Sequence, residues 1–189
     1  MARLVYGVGI NDVQGMSKTK TYELWRGVIE RCYSESLKLK YPTYKDCTCD
    51  EDWIYFSNFL NSLCDIDNFG HEYWVLDKDL LQKRNKHYGI DTCCFIPEEL
   101  NLLLIKSDSI RGDYPVGVHF DKLKKKFVSQ LNVFGKRKKL GYFDNQYDAF
   151  SKYKMEKEKQ IKILADKYKD NLSSKSYNAL LSYSVEITD

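Results

Sequence analysis

The 189-residue chain has no apolar run near the roughly 18 residues that a membrane-spanning helix requires. It contains no internal repeat and no low-complexity segment. MARLVYGVGIND places no basic segment before an apolar core, so no secretory signal is expected and the expected location is cytoplasmic. No two cysteines stand at the C-x₂₋₄-C spacing of a zinc knuckle: Cys47-Thr-Cys49 is too tight and Cys93-Cys94 are adjacent. With Cys32 and Cys64, the six cysteines read as reduced thiols, acting as small hydrophobes and not as a disulfide framework or a zinc site. Apolar residues (43%) and charged residues (30%) balance as in a folded domain, which excludes a disordered tail.

The net charge of +3 conceals an uneven distribution. Residues 1–110 hold 13 Lys and Arg against 17 Asp and Glu, a net of −4; residues 111–189 hold 17 against 10, a net of +7. Between 115 and 145 there are eight basic residues (Lys122, Lys124, Lys125, Lys126, Lys136, Arg137, Lys138, Lys139) and two acidic ones (Asp121, Asp144). This split suggests two modules, one of them built to meet a polyanion.

The pattern predicts an α+β protein with modules at 1–106 and 107–189. Leu4, Tyr6, Val8 and Ile10 alternate as in a short strand. Trp25, Val28, Ile29, Cys32 and Tyr33 recur at helical spacing, giving a helix over about 20–34. Tyr41-Pro42-Thr43 breaks the chain. Trp53, Phe56, Phe59, Leu60 and Leu63 suggest a second helix, with Asp50 to Asp52 suited to its N-terminus. Strand signals at Tyr73–Leu76 and Cys93–Ile96 flank a polar loop, and Pro97-Glu98-Glu99 opens a helix. Residues 106–114 read as a linker. Three strands follow at hairpin spacing (114–120, 126–133 and 138–143), then a long helix over 146–168 and a short one around 177–183.

Alternation in the three-strand segment sorts its side chains by face. Phe127, Ser129 and Leu131 share one face, with Val128, Gln130 and Asn132 on the other. Val116, Val118 and Phe120 oppose Gly117 and His119. Leu140 and Tyr142 are expected opposite Lys139, Gly141 and Phe143. With a helix over the apolar side, the free face presents His119, Gln130, Asn132, Arg137 and Lys139, rimmed by Lys124 to Lys126. Amides among cations suit base edges and phosphates, and a short sheet can enter a major groove. A solvated charged surface is the plainer alternative. Residues 111–168, with GVHF at 117–120, LGYFD at 140–144 and the helix containing Ala149 and Tyr153, resemble the plant-type APETALA/ethylene-response DNA-binding domain. That resemblance implies double-stranded DNA as partner and DNA contacts by His119, Lys124, Lys126, Gln130, Asn132, Arg137, Lys139 and Tyr142. Lysine where the plant domain carries more Arg and Trp implies looser base specificity.

In the first module, Asp77 and Asp79 sit at a strand end with Asn101 on the following helix. Oxygen ligands so placed can hold a hard cation such as Mg²⁺ for phosphoryl chemistry. The simpler reading of Asp77-Lys78-Asp79 is a polar turn with internal salt bridges. YELWRGVIERCYSE (22–35), YPTYKDCT (41–48), LDKDLL (76–81) and the series Asn85, Tyr88, Cys93, Phe95-Ile96-Pro97, Asn101 resemble phage-encoded HNH-endonuclease-like proteins related to homing endonucleases. This resemblance implies a ββα-metal unit with Asp77 and Asn101 as Mg²⁺ ligands. Lys78 then stands where the family has its histidine base; in another register Asp77 takes that position and Asp79 the next. His87, Lys78 and Asp79 are the candidate bases, though a protonated Lys cannot accept a proton unless burial lowers its pKa. Lys78, Lys83, Arg84 and Lys86 equally suit phosphate contacts.

The expected function is therefore metal-dependent cleavage or nicking of DNA. The alternative is a catalytically inactive DNA-binding regulator or counter-defence protein that kept the fold. A third reading has the acidic N-terminal half engage a partner protein by mimicking DNA.

Overall fold

The computed structural model describes residues 4–105, 113–133 and 135–189. It is a mixed α+β structure that divides into two units, residues 1–96 and 97–189. The expected boundary at 106/107 and most of the expected linker lie outside the described residues.

The first unit is built around helix α1 (Lys20–Tyr33), which Thr19 opens by accepting the Tyr22 N–H. Its apolar stripe, Trp25, Val28, Ile29 and Cys32, is buried. The stripe packs with Cys47, Cys49, Trp53, Phe56, Phe59, Leu63, Ile66, Tyr88, Cys93 and Phe95 in one cluster. Trp25 and Phe56 meet with ring centroids 5.3 Å apart. The Trp25 indole N–H finds its partner in the Trp53 carbonyl at 2.6 Å, so a fully buried donor is satisfied. Each such large side chain contributes about 1.5–3 kcal/mol by leaving water.

A short exposed helix, α2 (Glu35–Lys40), follows with Ser34 as its cap. The two-residue strand β1 (Thr48–Cys49) precedes a 3₁₀ turn at Glu51–Ile54 and helix α3 (Phe56–Ser62). The helix expected from Trp53 onward is thus interrupted at Tyr55, which is extended. Strand β2 (Trp74–Asp77) pairs with β4 (Cys94–Pro97). Between them, β3 (His87–Tyr88) pairs in parallel with β1, Thr48 opposite His87 and Cys49 opposite Tyr88. The alternation at Leu4 to Ile10 does not make a strand. Tyr6 and Gly7 have positive φ and turn the chain, leaving isolated bridges Val5–Gly9 and Ile10–Tyr55.

Helix α4 (Glu98–Leu104) follows β4 directly in sequence and belongs to the second unit. There Glu99 accepts hydrogen bonds from Lys167 Nζ (2.5 Å) and the Tyr168 hydroxyl. Strands β5 (Val118–Asp121), β6 (Lys126–Val133) and β7 (Lys136–Phe143) form an antiparallel sheet in sequence order. Helix α5 (Gln146–Lys167) starts at Asn145, whose side chain accepts the N–H groups of Tyr147 and Asp148. It buries Ala149, Tyr153, Ile161, Leu164 and Ala165. Helix α6 (Ser174–Leu181) packs on α5 and buries Leu180.

Gly117 sets the approach of α5 to the sheet. Its φ is +74°, and an added Cβ would lie 2.1 Å from the Tyr153 ring. On the far side of the sheet edge, Lys138 pairs with Glu156 of α5 at 2.8 Å.

Candidate functional site

The first unit's expected site residues are brought together only in part. Asp77 ends β2 and turns the chain: its Oδ1 accepts the N–H groups of Asp79 (2.9 Å) and Leu80 (2.6 Å). Burial pushes the Asp77 carboxyl above the usual range, and the two amides offset only part of that. Lys78 is 7% exposed, and its ammonium donates to Asp79 Oδ2 (2.6 Å) and to the Asn85 carbonyl (2.6 Å). Asn85 answers by donating to the carbonyls of Lys78 (2.8 Å) and His87 (2.6 Å), while its Oδ1 accepts the His87 N–H. The Asp77–Asn85 segment is therefore a knitted polar turn, with Lys78 as its buried strut. An ammonium so held by acceptors has no lone pair to take a proton from water.

His87 does not join that turn through its ring. Nε2 lies 2.9 Å from Asp50 Oδ1, and Nδ1 lies 3.0 Å from Thr48 Oγ1. Asp50 is fixed in turn by the Ile90 N–H, and a Cβ at Gly89 would meet Asp50 Oδ1 at 2.7 Å. The parallel pairing of β1 with β3 creates this contact. Two-residue strands have no periodic signature, so the partnership of Asp50 and Thr48 with His87 had no signal in the sequence.

Of the Mg²⁺ ligands that the resemblance implies, Asp77 ends β2 and Asn101 stands on α4. Asp77 Oδ1 accepts two amide N–H groups, and Asp79 pairs with Lys78. Among the described residues no group of three or more His, Cys, Asp or Glu side chains is placed to hold a metal ion. The Cys93 thiol, pushed up to about 12 by burial, stays protonated at neutral pH and offers no nucleophile.

The second unit assembles its expected residues. Cross-strand partners share a face, so the register sorts the sheet. His119 pairs with Val128, Val128 with Tyr142, Gln130 with Lys139, and Asn132 with Arg137. One face thus presents His119, Gln130, Asn132, Arg137, Lys139 and Tyr142, with Lys126 opposite Asp121 at its end. Simple alternation set Tyr142 opposite Lys139. The register slips between Ser129 and Gln130, where Ser129 pairs with Gly141 and Gln130 with Lys139, leaving Leu140 as an extra residue on β7. That bulge returns Tyr142 to the face of Lys139.

The electrostatics of this face are one-sided. Lys139 Nζ donates to the Tyr142 hydroxyl at 2.8 Å. The Tyr142 ring lies under two ammonium groups, Lys124 at 4.2 Å and Lys139 at 4.8 Å from its centroid. The hydrogen bond from Lys139, and then that from Lys124, lowers the Tyr142 phenol below its ordinary value. Lys126 pairs with Asp144. Lys122, Lys124, Lys125, Lys136, Arg137 and Lys139 have no carboxylate partner within ion-pair distance among the described residues. No helix of the described residues is long and apolar enough to cross a membrane. Comparison of the chain with protein-family models, with curated proteins and with solved structures finds no match.

Proposed function

We propose that the protein binds double-stranded DNA through the exposed face of the β5–β6–β7 sheet, without cutting it. The observation that carries this reading is the register that collects two amides, an imidazole, a guanidinium, an ammonium and a phenol on one face. Cations left without carboxylates hold counterion-displacing charge ready for phosphates. The amides of Gln130 and Asn132, flanked by Lys139 and Arg137, match the bidentate edges of adenine and guanine in a major groove. Lys139 and Lys124 are held near each other by the Tyr142 ring, so part of their ordering cost is met before binding.

Non-catalytic binding is favoured over cleavage because the three candidate bases are engaged by neighbours: Lys78 and Asp79 with each other, Lys78 also with the Asn85 carbonyl, and His87 with Asp50 and Thr48. Metal-dependent nicking remains the rival, supported by Asp77 Oδ2, which has no hydrogen-bond partner in its turn. Plasmid DNA with the purified protein and Mg²⁺ or Mn²⁺, beside EDTA and Asp77→Ala controls, separates the two. Retarded but uncut plasmid is expected. Metal-dependent nicks that vanish in Asp77→Ala would overturn the non-catalytic reading.

A further inference from the structure

The turn joining β5 to β6 holds an apolar side chain in a setting that gives it nothing to pack on. Leu123 is 96% exposed, the highest value among the exposed large hydrophobic side chains of the described residues. Its neighbours Lys122, Lys124 and Lys125 are exposed as well. The turn is nevertheless tied down. Asp121 Oδ1 accepts the N–H groups of Leu123 and Lys124, both at 3.0 Å. Lys125 has φ +51°, and the ladder closes behind the turn at Asp121 opposite Lys126. Lys124 reaches back over the Tyr142 ring, which joins the tip to the basic face.

We propose that Leu123 is a wedge that enters a DNA groove and partly unstacks one base step. The proposal rests on the DNA-binding reading of the same sheet. Three ammonium groups around one isobutyl group match a groove, where phosphates line both walls and base faces lie between them. An apolar wedge costs a few kcal/mol of stacking and regains it through its own burial and the phosphate contacts that a kink brings in. The tip's fixed backbone means that little ordering entropy is lost when it inserts. Anionic lipid offers charge and an apolar interior too. DNA is favoured because the tip continues into Gln130 and Asn132, amides that suit base edges and have no counterpart in a lipid surface.

The test uses the full chain, in EDTA, with a short duplex carrying 2-aminopurine at several positions. 2-Aminopurine brightens when it is unstacked. The wild-type protein is expected to raise the fluorescence several-fold. Leu123→Ala is expected to lose that rise, to bind roughly tenfold more weakly, and to keep the same salt slope, since no charge is removed. Equal affinity and equal fluorescence for the two proteins would overturn the wedge and leave the DNA-binding reading standing. No duplex binding by the wild type would overturn both. Wild-type binding to phosphatidylserine vesicles but not to duplex, lost in Leu123→Ala, would likewise overturn the wedge and assign the tip to lipid.

Discussion

Replacing Gly117 with Ala tests the packing on which the sheet's exposed face depends. Two costs arise at this position. The φ of +74° puts an L-residue in the left-handed region, at about 1–2 kcal/mol. The new methyl would also lie 2.1 Å from the Tyr153 ring, so α5 or the strand must move, at about 1–3 kcal/mol. The expected loss is therefore about 2–5 kcal/mol. Gly135 supplies the control: its φ is also +74°, but nothing lies within 4 Å of an added Cβ, so Gly135→Ala should cost only the strain, about 1–2 kcal/mol. The assay is urea unfolding followed by circular dichroism and by amide exchange at Gln130, whose N–H donates to the Gly117 carbonyl at 2.9 Å. Trp25, Trp53 and Trp74 all lie in the first unit, so tryptophan fluorescence reports that unit separately. In the background of Tyr153→Ala, the further cost of Gly117→Ala should shrink to that of the control, because the clashing ring is gone. Equal costs at 117 and 135 in the wild-type background would refute the close approach of Tyr153.

Four further outcomes follow from the same structure. Two concern acid and act in opposite directions. Burial raises the Asp77 carboxyl, so its contribution is largest below the ordinary carboxylate pKa and is lost as pH rises through the raised value. Asp77→Asn keeps the Oδ1 acceptor, and should leave first-unit stability unchanged or higher at neutral pH while flattening that decline. Burial pushes Glu99 up, but the hydrogen bonds from Lys167 and Tyr168 outweigh it and hold the carboxyl below its usual range. Its contribution is present above the ordinary pKa and lost as pH falls through the lowered one, so Glu99→Gln should abolish that acid-side loss in pH-dependent unfolding of the second unit. Lys139→Ala should move the Tyr142 phenol titration, followed by carbon NMR of the ring, upward toward its ordinary value. An unchanged titration would break the Lys139–Tyr142 link. Lys78→Ala should cost the first unit about 1–3 kcal/mol by stranding the Asn85 carbonyl, read by tryptophan fluorescence in urea.

The long periodic segments were legible. Five residues at helical spacing, Trp25 to Tyr33, place α1 within a residue of its observed ends, and the stripe through Tyr153 and Ile161 does the same for α5. Their buried faces impose the period, so the sequence must display it. The turns were harder. Alternation at Leu4 to Ile10 mimics a strand, but Gly7 frees the backbone to reverse. The strand β5 begins at Val118 and not at Tyr114, because the Val118 N–H bonds back to the Pro115 carbonyl in a turn. Alternation put His119, Gln130, Asn132, Arg137 and Lys139 on one face but Tyr142 on the other, since a bulge shifts parity without leaving a mark in composition; Tyr142 entered only through the family resemblance. The polar turn at 77–85 was readable as one of two alternatives, and its internal bonds match the turn with salt bridges. His87 was legible only as an available imidazole. Its partners Thr48 and Asp50 lie 39 and 37 residues away in sequence, distances that local pattern cannot span.

Whether the sheet face meets DNA phosphates is read from the salt dependence of duplex affinity, measured by fluorescence anisotropy. Among the described residues Lys124, Arg137 and Lys139 have no carboxylate within ion-pair distance, so contact by these three alone predicts a slope of log K against log salt of at least about −3. The double variant Arg137→Ala with Lys139→Ala should bind more weakly and flatten that slope by about two units. A double variant with wild-type affinity and an unchanged slope would contradict the account.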